Sequence, residues 1–191
     1  MSRRAIRKYG AEGGFRMGVN QQENSASLKI DAERLMTLTV TINNELYELQ
    51  VPPCESVSNI LRNFLQLTGT KTSCGIGRCG ACSVLIDEEL ANACLVMAYQ
   101  VEGKTITTIE GLKQYSLDEV QEAFLKQGGF QCGYCTSGMI LAVKTLLNQI
   151  PNPQEEDIKE ALAGNICRCT GYGGIIRAVQ YLVNEKNCQE R

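Results

Sequence analysis

The stretch Ser73-Cys74-Gly75-Ile76-Gly77-Arg78-Cys79-Gly80-Ala81-Cys82 decides how this chain is read. Three cysteines stand close together, separated mostly by glycine and alanine. A loop with so little side-chain bulk can bring its backbone close to whatever the thiols hold, and glycine also admits positive φ. The N–H groups of such a loop can then point at the bound group and tune it. Cys94 completes the pattern as C-x4-C-x2-C-x11-C.

That order is the spacing of plant-type [2Fe–2S] ligation. Zinc competes for the same four thiolates, but zinc sites usually show two C-x2–4-C knuckles, which a four-residue gap followed by a two-residue gap fits poorly. A second set lies further on, Cys132, Cys135, Cys167 and Cys169, written C-x2-C…C-x-C. By itself it also suits zinc, and Cys132-Gly133-Tyr134-Cys135 alone suits thiol–disulfide chemistry, although no βαβ pattern surrounds it. Arg168, between two of the thiols, would offset the negative charge of an all-thiolate cluster. Eight cysteines in two sets provide for two [2Fe–2S] clusters, and two clusters without other evident chemistry predict an electron relay. The chain has no histidine. That excludes a Rieske centre, a Cys2His2 zinc site and any Ser-His or Cys-His catalytic pair. Cys54 and Cys188 are left without a role and are expected as free thiols in a reducing compartment.

Composition narrows the rest. Aromatics make up 6% of the 191 residues and tryptophan is missing, which argues against a large aromatic-lined substrate pocket. A net charge of −2 argues against a nucleic-acid binder. No apolar run is long enough to predict a membrane-spanning helix. Ser2-Arg3-Arg4 faintly suggests a twin-arginine export signal, but the polar run from Tyr9 to Arg16 follows where an apolar segment is needed. Export is therefore not expected, and a cytoplasmic location is. Residues 1–34, with seven basic and four acidic side chains, read as an N-terminal extension that contacts a partner subunit.

From residue 36 the sequence alternates, Leu38, Val40 and Ile42 against Thr37, Thr39 and Thr41, which predicts a strand. Asn43-Asn44 supplies a turn, because asparagine tolerates positive φ, and Glu45 to Val51 reads as the return strand. Val57, Ile60, Leu61 and Phe64 recur at helical spacing. Ser83 to Asp87 and Lys104 to Ile109 read as later strands. Beyond residue 112 the strand signals stop. Ser116-Leu117-Asp118-Glu119 reads as a capping box before Val120 and Phe124. Ser137 is expected to cap a helix carrying Ile140, Val143 and Leu147. Asn152-Pro153-Gln154-Glu155 reads as cap, first-turn proline and acid of a third helix ending near Gly164. A fourth runs from about Gly174, with Ile175, Ile176, Val179, Leu182 and Val183 inward. The expected fold is α+β: a β-grasp, plant-type ferredoxin-like domain at 35–112, then a small four-helix bundle at 113–191 ending in a short tail. Each domain carries one cysteine set, and the second set lies at helix starts. No Gly/Ser linker separates Gly111 from Ser116, so close docking is expected.

Three motifs in order resemble the small iron–sulfur subunit of the molybdenum hydroxylases, the xanthine oxidase family. They are Thr68-Gly69-Thr70-Lys71 leading into the loop Cys74–Cys82, then Gln131-Cys132-Gly133-Tyr134-Cys135-Thr136-Ser137-Gly138-Met139, then Ala163-Gly164-Asn165-Ile166-Cys167-Arg168-Cys169-Thr170-Gly171-Tyr172. The resemblance spans roughly residues 36–185. It implies an electron-transfer subunit of a multi-subunit oxidoreductase whose substrate site lies on another chain. A large subunit would carry molybdopterin, in bacteria often as the cytosine dinucleotide, and a medium subunit would carry FAD, in a dimer of heterotrimers. Electrons from molybdenum would pass to the cluster of Cys132, Cys135, Cys167 and Cys169, then to that of Cys74, Cys79, Cys82 and Cys94, then to the flavin. By the same resemblance Gln131 hydrogen-bonds the pterin and Cys132 links pterin to cluster; an amide offers both donor and acceptor to such an edge. Family members often carry proline where this chain has Ser137.

Overall fold

Leu38, Val40 and Ile42 disappear into a core, as the alternation requires, and the strand they lie on, β1 (Met36–Ile42), runs near the middle of a five-stranded sheet. The molecule is a computed structural model, and its described residues are 35–112 and 116–189. The extension expected at residues 1–34 lies outside the described residues. The described residues belong to one compact unit.

β2 (Glu45–Val51) returns antiparallel to β1 through Asn43 and Asn44, both left-handed at φ 52° and 68°. The sheet order is β2-β1-β5-β3-β4, with β1 and β5 (Thr105–Thr107) parallel and the other pairs antiparallel. β3 (Ser83–Ile86) forms a hairpin with β4 (Glu89–Asn92), a strand absent from the sequence reading. Its turn residues, Asp87 and Glu88, are left-handed without asparagine or glycine, at φ 49° and 70°. The Asp87 carboxylate makes the turn tenable by accepting from the Thr105 N–H at 2.9 Å and from Lys104 Nζ at 2.6 Å.

Ser56 caps the first helix, its Oγ accepting from Asn59 N at 3.2 Å. α1 (Val57–Asn59) then widens into a π-helical segment, Ile60–Phe64. Val57, Ile60 and Leu61 are buried against the sheet, but Phe64, expected on the same face, is 48% exposed. The wider turn carries it off the stripe that regular helical spacing would make. On this segment Arg62 donates from Nη1 to the carbonyls of Thr68 and Thr70, at 3.0 and 2.7 Å, and so steadies the approach to the cysteine loop.

Four helices follow: α2 (Glu119–Gln127), α3 (Thr136–Gln149), α4 (Glu155–Leu162) and α5 (Gly173–Gln189). Their starts differ from the sequence reading. Asp118, not Ser116, caps α2, accepting from Val120 N, and Leu117 stays 40% exposed. A carboxylate at that position both accepts the free N–H and favours the positive helix end. It also holds Lys144 in an ion pair. α3 needs no cap from Ser137. Cys135 already has helical dihedrals, and Met139 N donates to its carbonyl at 3.1 Å. α4 begins later than expected, after Gln154, whose N–H donates to Asp157 Oδ2 at 2.7 Å; Pro153 precedes the cap.

Two apolar clusters result. One joins the sheet to α1; the other gathers Phe124, Met139, Val143, Ile158, Ile175, Val179 and Leu182 from all four later helices. α2 rests on α5, α4 on α3, and α3 also rests on the β3–β4 hairpin, which brings the two cysteine-bearing regions together.

Candidate iron–sulfur sites

The loop leading to β3 is built on glycines that only a left-handed backbone explains: Gly75, Gly77 and Gly80 lie at φ 68°, 70° and 66°. A Cβ on Gly75 would meet open space, so its need is conformational. With the loop curled this way, Arg78 N points at Cys74 Sγ (3.2 Å) and Gly77 N at Cys94 Sγ (3.3 Å). Asn92, at the end of β4, donates from Nδ2 to Gly77 O at 3.2 Å and pins the loop. The N–H groups of Ile76 and Arg78, helped by the neighbouring Cys79, hold the Cys74 thiol down at about 6. Burial pushes Cys82 up to about 11, with Cys94 and Cys79 beside it. All four thiols therefore share one neighbourhood.

The second set comes from two separate segments. Cys132 and Cys135 lead into α3, with Gly133 between them at φ 81°. Cys167 and Cys169 sit in the connection from α4 to α5, followed by Gly171 and Tyr172 at φ 58° and 63°. Cys169 Sγ lies 3.7 Å from Cys132 Sγ, and that contact raises the Cys169 thiol. Burial pushes Cys135 up to about 12, with the Cys167 and Cys132 thiols adding to the rise. At Cys167 burial opposes ionisation, but the Thr170 hydroxyl (3.1 Å), the Thr170 N–H and the Cys169 N–H overcome it and hold the thiol at about 7.

Among the described residues no group of three or more His, Cys, Asp or Glu gathers around a single-ion position. Within each set the thiols act on one another: Cys74 on Cys79, Cys82 on Cys94 and Cys79, Cys135 on Cys167 and Cys132, Cys169 on Cys132 and Cys167. A two-iron centre takes four thiolates, two per iron, so these donors and the N–H groups aimed at them fit [2Fe–2S]. Every ligand must lose its proton on binding, which the hydrogen bonds to Cys74 and Cys167 favour. Gln131 and Cys132, adjacent in sequence, are both exposed. Cys54 and Cys188 are exposed free thiols.

The loops of the two sets touch. Ile166 N donates to Cys79 O at 2.9 Å, and Tyr134 OH to Thr72 O at 2.6 Å. Tyr172 OH donates to Asn165 O and accepts from Cys167 N, both at 2.9 Å, closing its own loop. Sequence reasoning assigns no role to Tyr134, Asn165, Thr170 or Tyr172. Their place inside the quoted motifs is the available signal, but nothing local shows which partners they meet.

Two thiol sets in two adjoining regions define an iron–sulfur protein. Residues 40–105 match the family described as the 2Fe-2S iron-sulfur cluster binding domain, and residues 108–180 match that described as the [2Fe-2S] binding domain. The chain is 58% identical over 148 residues to a probable xanthine dehydrogenase subunit of Bacillus subtilis, covering 78% of this chain and 86% of that one. It is 41% identical to the nicotine 6-hydroxylase small subunit of Paenarthrobacter nicotinovorans, covering 74% and 86%. The crystal structure of quinoline 2-oxidoreductase from Pseudomonas putida 86 superimposes with a TM-score of 0.76 at 39% identity, covering 81% of this chain and 97% of the other. The chain belongs to the family of small iron–sulfur subunits of xanthine dehydrogenase-type molybdenum hydroxylases.

Proposed function

We propose that this chain is the electron-transfer subunit of a molybdopterin-dependent hydroxylase or dehydrogenase, relaying electrons from the molybdenum centre of a large subunit toward FAD in a medium subunit. The observation that carries this is the direct contact between the two thiol loops, made by the Cys79 carbonyl and the Ile166 N–H one residue from Cys167. Each [2Fe–2S] cluster, when bound, supplies a one-electron carrier. Cys74, Cys79, Cys82 and Cys94 hold the first, and Cys132, Cys135, Cys167 and Cys169 the second. The protein's share of the work is to keep both in a fixed relation and to offer each a different partner face. Gln131 and Cys132, exposed together, meet the pterin, which is molybdopterin or its cytosine dinucleotide. The organic substrate binds elsewhere, on the large subunit.

The same reading divides the chain into an extension (1–34) that contacts a partner, a β-grasp ferredoxin-like domain (35–112) and a four-helix bundle (113–191). It assembles the subunits as a dimer of heterotrimers in the cytoplasm. Among the described residues no helix is long and apolar enough to cross a membrane.

The test is electron paramagnetic resonance of the dithionite-reduced chain, with iron counted on the same sample. Two distinguishable S = ½ signals and about four irons are expected, two per cluster. A natively purified, colourless protein carrying zinc would overturn the proposal.

A further inference from the structure

The carbonyl of Gly80, inside the first cysteine loop, accepts three hydrogen bonds. Two come from Ser83, the first residue of β3, from its N at 3.2 Å and its Oγ at 2.8 Å. The third crosses to the other thiol set: Asn165 Nδ2 donates at 3.1 Å from a side chain only 4% exposed. A buried amide is costly unless it is bonded, and this one is aimed at a loop 85 residues away. Backbone meets backbone around it. A Cβ on Gly138, in the first turn of α3, would stand 2.1 Å from Gly80 O. A Cβ on Gly80 would stand 2.5 Å from Asn165 Nδ2 and 2.6 Å from Gly164 O. Asn165 is also tied to its own side of the seam, its N–H donating to Leu162 O at 2.9 Å at the end of α4 and its carbonyl accepting from Tyr172 OH.

We infer that Asn165 is a positioning residue for inter-cluster electron transfer: its side-chain amide clamps the first cysteine loop onto the second and sets the separation and mutual orientation of the two centres. Gly138 is the space that lets the clamp close. Among the described residues the amide bonds a backbone carbonyl and not a thiol, so it acts through the backbones that carry the two sets. This rests on the relay reading proposed for the chain.

The experiment is the magnetic splitting between the two reduced clusters in the full chain, recorded with iron content and the g-values of each cluster. Asn165→Ala should keep about four irons and both sets of g-values, yet lose part of the splitting, because coupling falls as the centres separate or turn. Asn165→Gln, which retains a donor amide, should recover more of it than Asn165→Ala. Should Asn165→Ala fail to load iron, Gly138→Ala decides the matter: it retains Asn165 but would crowd both Gly80 O and the Asn165 amide, wedging the seam, and it too should reduce the splitting. Wild-type splitting in a fully loaded Asn165→Ala, or in Gly138→Ala when Asn165→Ala does not load, overturns the inference. A wild-type chain without two paramagnetic clusters would instead sink the relay reading.

Discussion

The two thiol sets reach the same donor chemistry by different routes. In the sheet region three of the four cysteines sit on one short loop, and the loop is shaped by its own glycines and N–H groups. In the helical region two pairs arrive from segments 37 residues apart, and the side chains that bring them together lie in the core of four helices. The first arrangement is mainly local and the second mainly tertiary. The difference predicts which perturbations each half tolerates.

The largest effect comes from removing a ligand. Cys79→Ser and Cys135→Ser should each lose about two of four irons, and each should silence only its own paramagnetic signal. In an assembled complex, Cys132→Ser should abolish substrate-driven flavin reduction in stopped flow while molybdenum is still reduced; normal flavin rates would break the assignment.

Core truncation comes next and separates the halves most sharply. Phe124, 1% exposed among the helices, should cost about 3–5 kcal/mol as Phe124→Ala. Leu61, fully buried under the sheet, should cost about 2–5 kcal/mol as Leu61→Ala. Thermal melts followed by visible absorption and paramagnetic resonance should show Phe124→Ala losing the second centre ahead of the first. Simultaneous loss in both variants would erase the contrast between the halves.

A smaller effect tests whether the two halves share one local rule. Gly75 and Gly133 are both left-handed and both face open space, so alanine at either meets backbone strain without a clash. Each substitution should cost about 1–2 kcal/mol and shift the g-values of its own centre only. An unchanged melting temperature in either variant would remove the conformational argument at that site.

The smallest effect lies at the β3–β4 turn, away from both sets. The Lys104 ammonium and the Thr105 N–H hold the exposed Asp87 carboxyl below its ordinary value. A depressed carboxylate contributes stability that is present above its unfolded pKa and is lost as pH falls through the folded one. Asp87→Asn keeps the left-handed turn and the bond from Thr105. It should therefore flatten the acid side of the stability profile slightly and leave both paramagnetic signals untouched.

Much of this was legible because it is local. The period-two alternation of β1, the glycines among Cys74, Cys79 and Cys82, and the paired Asn43-Asn44 turn each state their geometry within a few residues. β4 escaped notice because its turn depends on Asp87 finding Thr105 and Lys104 across the sheet. Phe64 was misplaced because a π-helical turn leaves no periodic signature. Ser116, Ser137 and Asn152 were plausible caps by residue type. Asp118 holds the position through its bonds with Val120 and Gln121, and Cys135 enters its helix without a side-chain cap. The cysteine sets could be grouped by spacing, but the meeting of Cys132 with Cys169, and the part played by Asn165, arise only when the connection from α4 to α5 folds back against the start of α3 and the first cysteine loop.

The third bond on the Gly80 carbonyl also has a consequence in time. During synthesis the chain emerges from its N-terminal end, so the first cysteine loop leaves the ribosome 85 residues before Asn165 does. At ordinary rates of elongation that lag is roughly 4–17 s. Throughout it the nascent loop has its own glycines but lacks the bond that ties Gly80 to the second set. The first set is complete once Cys94 emerges, 71 residues before Asn165, so its four thiols can gather before the loop is tied to the second set.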